Sequence, residues 1–232
     1  MEAATEALKG DLWDHIAIDA ESSLLISLIP GKRTAANCDK LVADVKKRTG
    51  DRTDMFITSD EHAPYVKAIE KAYGIPVIPR RKPGLGRKPK ARLKMPTDLC
   101  CATVKKIRKN GRVVMVSRTL VFGNWLLLTL CLLCSLVSNT INTSFVERNN
   151  GTERGMNSRK RRKTLGFSKD DQIHNAVSYF TGFSYNFCWP VRTLDLKIEG
   201  GGKIQRTPLM AAALTDHIWN LREWCMFPVP VC

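Results

Sequence analysis

The chain has 232 residues, 44% of them apolar, enough to bury a sizeable core and to exclude global disorder. Its 37 Lys and Arg outnumber 22 Asp and Glu, a formal charge of +15 that exceeds the needs of solubility and points to a polyanionic partner, DNA or RNA. Eight scattered cysteines form no secreted disulfide framework, and the start MEAATEALKGDLWD lacks a basic stretch followed by an apolar run. A reducing, cytoplasmic setting without a signal peptide is therefore expected.

Residues 1–12 read as a helical lead-in. Trp13 to Asp19 and Leu24 to Ile29 read as two strands of a hairpin, turned at Ala20–Ser23 and ended by Pro30-Gly31. Leu41 and Val45 stand at helical spacing in 37–47. Met55 to Thr58 reads as a short strand, Pro64 to Tyr73 as a helix stopped by Gly74, and Val77-Ile78 as a further strand. Residues 79–98, PRRKPGLGRKPKARLKMPTD, combine proline, glycine and cations as a loop does. Arg112 to Phe122 reads as a Val-rich strand, and residues 119–146 carry no charge. A helix is expected from Ser144, a cationic run over Arg154–Lys169, and an aromatic-rich helix over His174–Phe187. Gly151 and Gly155 argue against a long unbroken helix after Ser144. A hairpin is expected over Asp195–Arg206 around three glycines. Thr207 with Pro208 should cap a helix reaching Leu214, and Thr215 should cap another reaching about Trp224.

The histidines show no metal-ligand spacing. Cys131 and Cys134 form a lone C-x-x-C inside a leucine run, which reads as apolar core thiols rather than zinc ligands. The aromatic residues from Tyr179 to Trp189 suit a packed helix better than a base-stacking platform.

Three acids stand apart: Asp19 in WDHIAIDAESS, Asp60 in MFITSDEHAPY and Glu147 in INTSFVERNN. Each has a plain structural alternative. Asp19 fits a hairpin edge, Asp60 a helix N-cap, and Glu147 the reciprocal capping position three after Ser144. Together, and in this order, their flanks resemble the catalytic motifs of bacterial insertion-sequence transposases of the DDE class, the insertion element one type. INTSFVERNNGTERGMNSRKRRKTLGFSK carries most of that resemblance; SYNFCWPVRTL and RTPLMAAALTDHIWNLREW are similar to the C-terminal region of the same family.

The resemblance implies an α/β, RNase-H-like mixed sheet flanked by helices over residues 1–170, with a helical and hairpin extension over 171–232. It implies that Asp19, Asp60 and Glu147 hold two Mg²⁺ or Mn²⁺ ions for strand cleavage and transfer at the ends of a mobile element. Arg148 and Arg154, with the cationic row Arg159, Lys160, Arg161, Arg162 and Lys163, become expected DNA contacts. His62 becomes an accessory group near Asp60. A homo-oligomer on bacterial DNA, with no membrane partner, is expected, and the zinc and helix-turn-helix modules of related transposases are not visible ahead of Asp19. The stretch GNWLLLTLCLLCSLVS, 123–138, departs from the family, as a local frameshift would make it do. Its uncharged core, 120–138, nearly reaches bilayer-spanning length, so a single-pass membrane protein is one alternative. A noncatalytic DNA-binding remnant is the other.

Overall fold

The computed structural model describes residues 12–79, 90–161, 165–166 and 168–228. The chain divides into two compact units: Met1–Arg33 with Ser144–Cys232, and Thr34–Thr143. Its class is mixed α/β. The first hairpin and the helices that come last fall in one unit.

In the first unit, strands β1 (Trp13–Ile18) and β2 (Leu25–Gly31) pair antiparallel, Trp13 opposite Gly31 and Ala17 opposite Ser27, with a register shift at Ala17/Ile18. Alternation turns Ile16, Leu25 and Leu28 inward, where Val146 and Phe183 pack against them. The backbone of Leu25 is closed by a side chain. Its N–H donates to Asn186 Oδ1 at 2.9 Å, and its carbonyl accepts from Asn186 Nδ2 at 2.8 Å. One buried amide thus does the work of a neighbouring strand.

The second unit is built on a three-stranded sheet in the order β3 (Phe56–Asp60), β6 (Cys100–Lys109), β7 (Arg112–Phe122). β3 runs parallel to β6, and β7 antiparallel to it. Helices α1 (Ala35–Arg48) and α2 (Ala63–Tyr73) cover one face, where Cys38, Val42, Ala68, Ile69 and Tyr73 meet Leu99 and Cys101. Helix α3 (Trp125–Cys134) and the segment after it cover the other, Leu128 of the helix and Ile141 beyond it packing against Cys100, Ala102 and Val104. The central strand is buried on both faces, so each layer hides an apolar surface. Burial pushes the Cys101 thiol up to about 12, leaving it an inert core group. β4 (Ile75–Val77) and β5 (Arg92–Lys94) form a small antiparallel pair.

Helix α4 (Ser144–Met156) runs straight through Gly151 and Gly155, against expectation. A Cβ at either would meet nothing within 4 Å, so both lie on an open helix face. α5 spans Asp171–Cys188, with Asp170 as N-cap. The glycine hairpin is β8 (Leu196–Lys197) with β9 (Lys203–Ile204), and Gly200 and Gly201 take positive φ. Thr207 caps α6 (Pro208–Ala211), which stops short of Leu214. The last helix, α7 (Leu221–Met226), is capped reciprocally by Asn220 and Glu223 rather than by Thr215. The Thr215 hydroxyl instead accepts from the Trp219 indole at 2.9 Å.

Among the described residues the strands form four hydrogen-bonded sheets, of which the sheet β3-β6-β7 is mixed, with one parallel and one antiparallel pairing. No described helix is long and apolar enough to cross a membrane; α3 has 10 residues, about 15 Å of rise against roughly 30 Å of hydrocarbon. Over 120–138 the chain runs from the end of β7 through α3 into a non-helical stretch. Cys134 is exposed and Cys131 half-buried, whereas Cys38, Cys100 and Cys101 are the core thiols.

Gly123, between β7 and α3, has φ +95°. A Cβ there would sit 2.7 Å from Cys100 Sγ and 3.0 Å from the Leu99 carbonyl oxygen. Gly123→Ala is expected to cost the second unit about 2–3 kcal/mol, read as a lower urea midpoint at unchanged slope.

Candidate active-site residues and a buried charge cluster

Asp19 follows directly on β1. Its Oδ2 accepts the Ser22 N–H at 2.8 Å and the Ser22 hydroxyl at 2.5 Å, and its own N–H donates to the Leu24 carbonyl at 2.9 Å. This carboxylate therefore shapes the β1–β2 turn, as the hairpin alternative required. Glu147 is exposed in the first turn of α4, where a negative charge complements the helix dipole. Both belong to the first unit.

Asp60 belongs to the second unit. It is the exposed last residue of β3, paired with Val104 of the parallel neighbour β6. His62, not Asp60, is the N-cap of α2. The His62 N–H donates to Asp60 Oδ1 at 3.4 Å, and its ring meets Tyr65 edge-on at 5.5 Å. Neighbouring Glu61 pairs with Lys105 at 2.7 Å. The carboxylate oxygens of Asp19, Asp60 and Glu147 are of the kind that suits a hard divalent cation. Among the described residues, no group of three His, Cys, Asp or Glu is gathered to hold a metal ion.

The expected DNA contacts separate into kinds. Arg148, Arg159 and Arg161 are exposed, and Arg154 is half-buried. Arg162 and Lys163 lie outside the described residues. Lys160 differs from its neighbours: its side chain is only 7% exposed. The ammonium lies 2.8 Å from Asp14 Oδ2 and 2.5 Å from Glu153 Oε2. Asp14 Oδ1 in turn bonds His174 Nε2 at 3.1 Å. Four separated stretches thus meet in one cluster: β1, α4, the 3-10 turn Ser158–Lys160 and α5. No protein-family model matches the chain, and no curated protein or solved structure matches it either.

Asp14, Glu153 and His174 were not singled out from sequence, yet two signals were there. Asp14 shares the inward register of Ile16 on β1. Val146, Asn149 and Glu153 fall on one helical stripe, with Val146 in the core. A charge at a core-facing position must find a partner. The seam around Glu153 is polar, since Asn149, Asn157 and Ser178 are buried as well. Gly182 keeps it tight: a Cβ there would come within 2.9 Å of Leu25 and Leu28 and 3.5 Å of Glu153 Oε1.

The two acids titrate in opposite directions. Burial alone would raise Asp14, but the His174 hydrogen bond and the charge and bond of Lys160 outweigh it and hold the carboxyl below its usual 3.8. Burial dominates at Glu153 and pushes it above its usual 4.5, with Lys160 opposing. Asp14 therefore contributes stability above its unfolded pKa that is lost as pH falls through the depressed folded value. Glu153 has the opposite sign: the folded state gains stability as pH falls through its raised value towards the unfolded one. Chemical denaturation of the wild type is expected to show stability rising as pH falls through the raised Glu153 value towards its ordinary 4.5, and falling in stronger acid as pH drops below the ordinary Asp14 value of 3.8. Glu153→Gln should abolish the rise and keep the acid fall.

Proposed function

We propose that the chain is the catalytic region of a DDE-class DNA transposase with an RNase-H-like fold, acting on the ends and targets of a mobile element. Asp19, Asp60 and Glu147 are the metal-holding carboxylates. The observation that carries this reading is where the three acids fall. Each lies at the end of an element, Asp19 after β1, Asp60 at the carboxyl end of β3 and Glu147 in the first turn of α4, and each is exposed or half-exposed. Ends of strands and helices are where folds display chemistry, and the carboxyl end of a parallel strand is the usual crevice side. When bound, Mg²⁺ or Mn²⁺ would polarise the scissile phosphate and activate the attacking oxygen. The residues of the chain hold that charge in place, and Arg148 and Arg154 neutralise the flanking backbone. Homo-oligomerisation on DNA and a place at the bacterial nucleoid belong to the same proposal.

A nicking and joining assay on element-end DNA, with Mg²⁺ or Mn²⁺ and a chelator control, tests it. Metal-dependent nicks and joined products are expected, and wild-type protein without either would overturn the reading. The second reading, a noncatalytic DNA-binding remnant, rests on the formal charge of +15. It predicts DNA binding with no cleavage.

DNA affinity should fall steeply with salt, because each neutralised phosphate releases counterions. Arg159→Ala with Arg161→Ala is expected to lower the slope of log K against log salt by about 1.8, two contacts at about 0.9 each. Fluorescence anisotropy on a labelled duplex measures it.

A further inference from the structure

We propose that Lys160 is a positioning residue for the DNA backbone: it pins, from inside, the turn that displays Arg159 and Arg161. The inference rests on the DNA-binding part of the reading above. The two arginines flank Lys160 directly, and both are exposed while the Lys160 side chain is only 7% exposed. Asn157 caps the turn with its side chain, accepting the Arg159 N–H at 3.0 Å. The Lys160 N–H donates to the Asn157 carbonyl at 3.1 Å, and the Arg161 N–H to the Ser158 carbonyl at 3.1 Å. The Ser168 N–H closes on the Arg159 carbonyl at 3.2 Å, and Arg161 Nε reaches the Arg154 carbonyl at 3.4 Å.

A surface turn of three residues has little of its own to hold it in place. Here the holding force is Lys160, whose ammonium bridges a carboxylate from β1 and one from α4. Directional, charge-assisted bonds define one geometry where apolar contact would permit sliding. The alternating out–in–out order of Arg159, Lys160 and Arg161 separates two jobs within one row of cations. The outer pair meets a polyanion, and the inner lysine fixes their spacing. The charge of +15 makes nucleic acid the complementary partner, and the duplex is the form we assign.

The test compares duplex-DNA binding by wild type and the double variant Glu153→Gln/Lys160→Met. One acid and one base are lost together, so net charge is unchanged and the general attraction to DNA is preserved. Asp14 keeps its His174 partner. The folded double variant is expected to bind about tenfold more weakly at 0.1 M salt, with a slope reduced towards that of the Arg159/Arg161 double variant. Wild-type affinity and slope would overturn the anchoring role. If the Arg159/Arg161 variant also binds as wild type does, the DNA-contact reading falls first; if it weakens while Glu153→Gln/Lys160→Met does not, only the anchor falls. Tighter binding of single-stranded RNA than of duplex DNA would overturn the choice of partner. A measurement on unaltered protein guards against a variant that fails to fold: amine acetylation mapped by peptide mass. Lys160 should resist the reagent in native protein, with and without DNA. Modification as fast as that of the exposed Lys105 or Lys169 would overturn the proposal.

Discussion

Lys160→Met is expected to destabilise the first unit by about 3–5 kcal/mol, with a melting temperature lower by roughly 10 °C or more. The reason is what stays behind. Asp14 and Glu153 have side chains only 12% and 6% exposed, and the ammonium between them is the cation both share. Methionine fills a similar volume and leaves two buried carboxylates with His174 alone to compensate. Removing one member of a buried ionic group costs far more than removing a balanced set. Glu153→Gln should therefore be close to neutral, since burial already works against that charge and Lys160 keeps Asp14. Joined to Lys160→Met it should recover part of the loss, a coupling of about 1–3 kcal/mol in a double-mutant cycle. Thermal and urea melts of the four proteins decide it. A Lys160→Met protein as stable as wild type would show that the cluster contributes nothing to folding.

Asp60→Asn and Glu147→Gln are each expected to lower metal-dependent strand cleavage by a factor on the order of a thousand or more. Carboxylate to amide keeps the shape and removes the charge and one oxygen donor that a hard cation requires. Both residues are exposed, so the change should leave stability within about 0.5 kcal/mol. Asp19→Asn is a less clean probe, because it also disturbs the two bonds from Ser22. Glu61→Gln is the control: it neutralises an exposed acid adjacent to Asp60 that is paired with Lys105, and cleavage should persist. Cleavage by Asp60→Asn at the wild-type rate would remove Asp60 from the reaction.

Much of the local structure was legible. The first hairpin follows from alternation on either side of Ala20–Ser23, and α1 and α2 from helical spacing ended by Gly50 and Gly74. The central strand β6 was not anticipated. Its first half, CCATV, is buried throughout, and its second half turns charged. A strand covered on both faces shows no alternation, so its pattern resembles no amphipathic template. β5 lay hidden in a segment whose prolines and cations read as loop. The α7 cap was misplaced because Thr215 and Asn220 are both good capping residues, and only Asn220 has a glutamate three positions on.

By itself the sequence determined the basic character of the protein, its first hairpin and most of its helices, and the three acids set at the ends of elements. These are properties of composition and of near neighbours in the chain. Tertiary structure alone decided which cations face outward. Lys160 is one of five consecutive basic residues and looks like its neighbours, but it is buried because carboxylates 146 positions before it and 7 before it arrive at the same point. Burial and pairing depend on contacts across such separations, and local pattern carries no record of them.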